Sequence, residues 1–339
     1  IDVRSNTGGL LREAIDILNM LTLKGETLLE RRGNRSNYKY SSRSRPRIGT
    51  ELPIVVLQNK KSASASEILA GVLQDLDRAV IVGQRSFGKG LVQNKKELND
   101  STTIKITTAK FYTPSGRLIQ EEDYMSNGFL TDRLSEKDSL FYTSNGRIVK
   151  GGGGITPDYK VKSNKVPGYV SKLWQQRAFT GFVAFHLEKF DSSQDINMKM
   201  LKLFNNHVST FDLSYKLPAE TYYSRLNKEM LKYSKDNNSD FNIFKNILMN
   251  YRRARSINLL KKYFKVAHKE QFWIDKNILW IKNSLLKEFS YQKTLDEKDR
   301  IRYSLKIDNV YLYALNLIND SNRYFDTLDN SLEIGHYSD

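Results

Sequence analysis

The 339-residue chain contains no cysteine. That excludes a disulfide framework, a thiolate metal site and a cysteine nucleophile. It leaves the compartment open, because a protein outside the cytosol can also do without cysteine. No apolar run approaches the ~20 residues that a membrane-spanning helix needs. No signal peptide is present either. The chain opens at Ile1 in "IDVRSNTGG", in mid-element and without Met, so it reads as a fragment whose upstream portion is missing. Histidine is scarce: His186, His207, His268 and His336 are the complete set, and all lie in the second half. Acidic residues are outnumbered, giving a formal net charge of +16. Such a balance suits polyanions, yet a lysine-rich surface explains it equally. The densest basic stretch, "RRGNRSNYKYSSRSRPR" (Arg31 to Arg47), holds no acid and lacks the signature of a nucleic-acid module. It reads as an exposed loop followed by a polar strand.

The length suggests two domains. "LLREAIDILNML" carries Leu10, Leu11, Ala14, Ile15, Leu18 and Leu21 at helical spacing. "LPIVVLQN" (Leu52 to Asn59) is a short run rich in β-branched residues, as in a strand buried on both faces. "SASASEILAGVLQDL" predicts a helix with Ile68, Leu69, Val72 and Leu73 on one face, and "RAVIVG" (Arg78 to Gly83) a second buried strand. This rhythm predicts α/β architecture with parallel pairing. "GLVQNKKEL", "TTIKITTAKFYTP" and "RLIQ" are strand-like, with a turn at "TPSGR". "GGGGITPD" (Gly151 to Asp158) predicts a hinge and a Pro-fixed corner. Beyond about Val170 glycine almost vanishes and helical periodicity dominates. The expected division is an α/β core over residues 1–167 and an α-helical domain over 168–339.

"GQRSFGKG" approaches a P-loop, but Gly90 stands where a Mg²⁺-ligating Ser or Thr is needed, and a strand-like segment follows where a helix is needed. "SASASE" (Ser62 to Glu67) lies between a buried strand and a helix, which places a hydroxyl beside free N–H groups and the positive end of the helix dipole. Ser64-Ala65-Ser66-Glu67 also fits a capping box, which needs no function. With no histidine in the α/β region, a serine nucleophile there needs a lysine base. A lysine acts as a base only when neutral, and moving its pKa from about 10.4 towards 7–8 costs about 4 kcal/mol. Burial among apolar groups produces such a shift. Lys89 fits that role, since it lies among Phe87, Leu91 and Val92, with no acid between Arg78 and Lys96. In an extended chain after Gly88, Lys89, Leu91 and Gln93 share a side, so Gln93 is placed to aim the amine without adding charge. An oxyanion hole would draw on Ala65 N–H and on Gly8 or Gly9 N–H, since glycine lets backbone approach a ligand closely.

The segments "DVRSNTGGLL", "PIVVLQNKKSASASEILAGVLQD", "RAVIVGQRSFGKGLVQ", "KITTAKFYTPSGRLIQ" and "GGGITPD" together resemble the carboxyl-terminal processing (tail-specific) protease family, over roughly residues 1 to 160. The resemblance implies Ser64, the middle serine of S-A-S-A-S, as nucleophile rather than Ser62 or Ser66. It implies Lys89 as base and Gln93 as its assistant. It further implies a crotonase-like (ClpP/crotonase-type) α/β protease core with an additional α-helical C-terminal domain, a PDZ domain upstream, and no cofactor or metal. The implied activity is serine endoproteolysis through a Ser-Lys dyad and an acyl-enzyme, near the unstructured C-termini of protein substrates, in the bacterial envelope and so in the periplasm. Peripheral envelope association and self-association through the helical domain are further expectations; a specific nucleic-acid partner is not. Val3 and Thr7 depart from the family's D-L-R-x-N-P-G-G pattern. The insert from Glu121 to Gly154 and the helical tail resemble versions from Bacteroidetes-like bacteria. The rival reading is a non-catalytic ligand- or peptide-binding protein on the same fold. Polyanion binding through Arg31 to Arg47 is a third, compatible with either.

Overall fold

The computed structural model describes residues 1–33, 36–120, 139–189, 195–236 and 258–329. The chain forms two compact units, one of residues 1–163 with 308–339, the other of 164–307. This differs from the division read from sequence, in which one helical domain ran from 168 to the end. The last helices belong with the α/β core.

The core of the first unit is a parallel sheet in the order β3-β4-β9, comprising β3 (Val55–Gln58), β4 (Val80–Gly83) and β9 (Tyr159–Lys160). The start of the chain adds to its β3 edge, with Asp2 bridged in parallel to Leu57 and Val3 N–H donating to the Leu57 carbonyl (2.9 Å). Every residue of β3 and β4 is buried, because both faces of the sheet are covered. Val56 and Ile81 face the helices α1 (Leu11–Leu21) and α2 (Ala65–Asp75), packing with Leu18, Leu21, Ile68 and Leu73. Their neighbours Val55, Leu57, Val80 and Val82 face the other way. There they meet Val310, Ala314 and Leu317 of α10 (Asn309–Asn319) and Tyr324 and Leu328 of α11 (Ser321–Leu328). The two-residue period of a strand thus feeds two separate clusters. Tyr324 adds a polar anchor: its hydroxyl accepts the Ile54 N–H (2.8 Å) and donates to the Ile54 carbonyl (2.9 Å).

An antiparallel sheet in the order β2-β1-β6-β5 lies in the same unit. It comprises β1 (Thr27–Gly33), β2 (Asn37–Ser41), β5 (Leu91–Asn99) and β6 (Thr102–Tyr112). The basic stretch from Arg31 therefore contributes the end of one strand and the polar β2, not a loop alone. Two turns of identical pattern dock on the C-terminal end of α2. In "TPSGR" the Ser115 N–H donates to Asp75 (3.0 Å) and Arg117 pairs with the same carboxylate (2.7 Å). In "TSNGR" the Asn145 N–H donates to Asp77 (2.5 Å) and Arg147 pairs with it (2.6 Å). The second turn joins β7 (Leu140–Tyr142) to β8 (Ile148–Lys150). Most of the insert noted in the sequence, residues 121–138, lies outside the described residues.

The second unit is helical. It contains α3 (Gly168–Gln175), α4 (Ala178–His186), α5 (Met198–Val208), α6 (Pro218–Asp236), α7 (258–270), α8 (Asp275–Thr294) and α9 (Glu297–Leu305). Helical periodicity runs through "SKLWQQRAFTGFVAFHLEKF", but the helix is broken at Arg177, whose φ of 54° is left-handed. The break lets Leu173 of α3 and Ala178, Phe179 and Phe182 of α4 all reach one core with Phe204 and Phe289. The stretch "DFNIFKNILMNYRRA", which also has helical periodicity in the sequence, falls outside the described residues. No helix among the described residues is long and apolar enough to cross a membrane.

Replacing Tyr324 by Phe should leave the Ile54 N–H without its acceptor in a buried setting, while the Ile54 carbonyl keeps the Val80 N–H (3.0 Å). Urea denaturation should show a loss of about 1–3 kcal/mol. An unchanged midpoint would mean that the Tyr324 hydroxyl contributes nothing to holding β3.

Candidate active site

The turn between β3 and α2 holds the three serines in three environments. Ser62 is buried, and its hydroxyl donates to the Val3 carbonyl (2.7 Å) and accepts the Asn59 N–H (3.0 Å). Ser66 is buried within the first turn of α2. Ser64 is half-buried, at the N-cap of α2, with φ 59° and ψ −119°. A positive φ at a non-glycine residue costs on the order of 1–3 kcal/mol and persists only where the surroundings impose it. Here several contacts impose it. The Ala63 N–H donates to the Asn6 carbonyl (3.0 Å), and the Phe87 N–H to the Ser62 carbonyl (2.9 Å). The capping box read from S-x-x-E forms as well, with Glu67 Oε2 accepting the Ser64 N–H (2.8 Å).

Glu67 reaches further than a cap. It is fully buried and accepts four hydrogen bonds. Oε1 takes the Ser86 hydroxyl (2.6 Å) and the Gly88 N–H (2.6 Å); Oε2 takes the Ser64 N–H and the Lys89 N–H (both 2.8 Å). The amides of Ser64 and Lys89 thus converge on one oxygen atom. The carboxylate is also in the first turn of α2, where the helix dipole favours negative charge. Lys89 is half-buried, and among the described residues its ammonium has no carboxylate ion-pair partner. Glu67 engages the lysine's backbone, not its side-chain charge. Gly88, at φ 92°, permits the bend that brings this about.

The glycine pair takes two roles. Gly8 has φ 81°, and a Cβ there would lie 2.5 Å from the Ala63 carbonyl oxygen, 2.7 Å from the Ala65 nitrogen and 3.0 Å from Ser64 Cβ. Its own N–H is taken by Asn6 Oδ1 (2.9 Å). Gly8 therefore serves as the point where the first segment touches the serine turn. Gly9 is exposed, with open space around its Cα. Neither the Gly9 nor the Ala65 N–H has an acceptor among the described residues. Of the two glycines considered for an oxyanion hole, Gly9 is the one with a free donor, and Ala65 N–H is the other donor, at the start of α2.

Gln93 is not joined to Lys89. It lies on β5, is exposed, and makes no side-chain hydrogen bond among the described residues. The β5–β6 register shifts between Val92 and Gln93, which pair with Ala109 and Thr107. Among the described residues no group of three or more His, Asp or Glu side chains is placed to hold a metal ion. Sequence reasoning missed the span of Glu67. Its only signal was the capping pattern, which says nothing of Ser86, Gly88 or Lys89.

Residues 1–128 match the family model described as peptidase family S41. The chain is 41% identical over 142 residues to a carboxyl-terminal-processing protease of Synechocystis, covering 42% of this chain and 32% of that protein. It is 44% identical over 120 residues to a carboxy-terminal-processing protease of Bartonella bacilliformis, covering 35% and 28%. The match thus spans about a third of these relatives' own length. Among solved structures, a photosystem II D1 C-terminal processing protease aligns at 30% identity and a TM-score of 0.34, covering 48% of this chain and 33% of that one.

Gly8→Ala should cost more than about 1 kcal/mol in denaturant, because it forces a side chain into left-handed backbone and against the serine turn. Gly9→Ala, with nothing within 4 Å of its added carbon, should be close to neutral. Equal stability of the two variants would contradict the contact assigned to Gly8.

Proposed function

From a peptidase family S41 domain over residues 1–128, we propose that this protein is a serine endopeptidase acting through a Ser64–Lys89 dyad. The observation that carries this is the convergence of the Ser64 and Lys89 amides on Glu67 Oε2, at 2.8 Å each. One buried group thereby fixes the strained serine turn and the lysine loop as a unit. The names of the relatives support carboxyl-terminal processing as the activity; protein substrates with unstructured C-termini are part of the same proposal.

In this mechanism neutral Lys89 accepts the proton of the Ser64 hydroxyl as its oxygen bonds to the scissile carbonyl carbon. The negative charge that develops on the carbonyl oxygen is met by the Ala65 and Gly9 N–H groups, worth roughly 3–4 kcal/mol per donor. Lys89 then returns the proton to the leaving amine as the C–N bond breaks, giving an acyl-enzyme and a free peptide. Water then attacks the ester carbonyl as Lys89 takes its proton; Lys89 passes that proton to the Ser64 oxygen as the acyl C–O bond breaks, which frees the carboxyl product and restores the neutral amine. The substrate enters as an extended strand. The edge of the antiparallel sheet suits this, because β5 is its edge strand and begins at Leu91, two residues after Lys89. Gln93 acts in this scheme only once substrate is bound, since the free protein leaves it unpaired. The crotonase-like character of the core and action in the bacterial periplasm belong to the same proposal. A purely binding role has no observation in its favour, and a carrier would gain nothing from the backbone strain at Ser64.

The test is cleavage of an unstructured protein substrate by the intact protein. Ser64→Ala should reduce cleavage to background, and Lys89→Ala should reduce it about 10²–10⁴-fold. Lys89→Arg should fail equally, because a guanidinium stays protonated. Cleavage at the parental rate by any of the three would overturn the dyad.

A further inference from the structure

Lys89 is flanked by two peptide N–H groups, and each donates to a different side chain. Its own goes to Glu67, as described. The next, on Gly90, goes to Oε1 of Gln120 (2.9 Å). Gln120 and Gly90 are both buried. The contact is close in other ways too. A Cβ on Gly90 would lie 2.8 Å from the Gln120 nitrogen and 3.3 Å from Ile119 Cβ, so only glycine lets the two backbones meet. The Gly90 carbonyl in turn accepts the Phe111 N–H of β6 (2.8 Å).

Gln120 is itself held. Its carbonyl accepts the Gly153 N–H (3.2 Å), and the Ile119 carbonyl accepts the Gly154 N–H (2.9 Å). Gly154 packs on Ser86, where a Cβ would sit 2.7 Å from the carbonyl oxygen. The Ser86 hydroxyl accepts the Ile155 N–H (2.7 Å) and donates to Glu67. The path closes on itself: Glu67, Ser86, the 154–155 backbone, the 119–120 backbone, the Gln120 side chain, Gly90, Lys89 and back to Glu67. Lys89 is a member of a hydrogen-bonded ring, with Glu67 on one side and Gln120 on the other.

We infer that Gln120 is a positioning residue for Lys89, fixing the lysine's backbone through the Gly90 amide so that the amine meets the Ser64 hydroxyl in one geometry. This rests on the proposed Ser64–Lys89 chemistry. Glutamine suits the place better than glutamate. It accepts the N–H without adding a charge beside Lys89, whereas a carboxylate would favour the ammonium form that cannot act as a base.

The experiment is acylation of the full chain by a fluorophosphonate probe, followed against probe concentration and pH, with rates expressed per folded protein. Gln120→Met keeps the length but loses the acceptor. Its maximal acylation rate should fall about 10–100-fold, with the half-saturating probe concentration unchanged, the scale expected for a misplaced catalytic group. Gln120→Glu keeps the acceptor. It should be slow at neutral pH and recover towards the parental rate at alkaline pH, moving the rising limb of the profile upward. A residue that merely supported the fold would leave that limb in place. Parental acylation by Gln120→Met, or a loss in Gln120→Glu that no pH restores, would overturn the inference. The peptidase reading fails separately: it falls if the parent's acylation persists in Ser64→Ala, whereas a Ser64-dependent parent with an unaffected Gln120→Met refutes the role of Gln120 alone.

Discussion

The candidate site depends on a buried carboxylate. Taking Glu67 out of water is unfavourable unless its charge is matched by hydrogen bonds. Four donors match it: the Ser86 hydroxyl and the amides of Ser64, Gly88 and Lys89. Because those donors come from two distant stretches of chain, meeting the needs of the carboxylate joins the start of α2 to the loop after β4. Fixed geometry at the dyad is then a consequence of satisfying one charge. Hydrogen bonds to an ionised acceptor are roughly twice as strong as neutral ones, which helps them oppose the backbone strain at Ser64.

The rest of the first unit supports that junction. The segment from Ile1 to Gly9 runs beside β3 and then presses Gly8 against the serine turn from outside. On the opposite face of the parallel sheet, α10 and α11 cover Val55, Leu57, Val80 and Val82. Arg4 ties these regions together, pairing with Asp2 (2.7 Å) and with Asp308, the N-cap of α10 (2.6 Å). Asp308 also accepts the Val310 and Tyr311 N–H groups (both 3.1 Å) and so caps the helix it anchors. The strands that present the serine turn and the lysine loop are thus enclosed by helices from the far end of the chain.

What was legible in the sequence was local. The β-branched runs of β3 and β4, the S-x-x-E cap and the glycines around Lys89 are all visible in windows of a few residues, and each lies where expected. What was not legible depends on contacts distant in sequence. Glu67 looks like a capping residue because three of its four donors lie 19 to 22 positions on. Gln120 looks like the end of a strand because Gly90 lies 30 positions back. The choice between Gly8 and Gly9 turns on the side chain of Asn6, which takes one of the two N–H groups. The placement of α10 and α11 was hidden for a different reason. Their apolar faces resemble those of the preceding helices, and periodicity does not say which core a face will meet. The expected pairing of Gln93 with Lys89 rested on strand alternation, which constrains sides but not distances.

The most direct measurement of the central claim is the rate of Ser64 acylation by a fluorophosphonate in Glu67→Gln, per folded protein. A glutamine offers one acceptor oxygen and turns its amide hydrogens towards two of the donors that the carboxylate accepted. A fall on the order of 100-fold is expected, the cost of displacing a catalytic group by about 1 Å. Acylation of the folded variant at the parental rate would show that Ser64 and Lys89 are aligned by something other than this carboxylate.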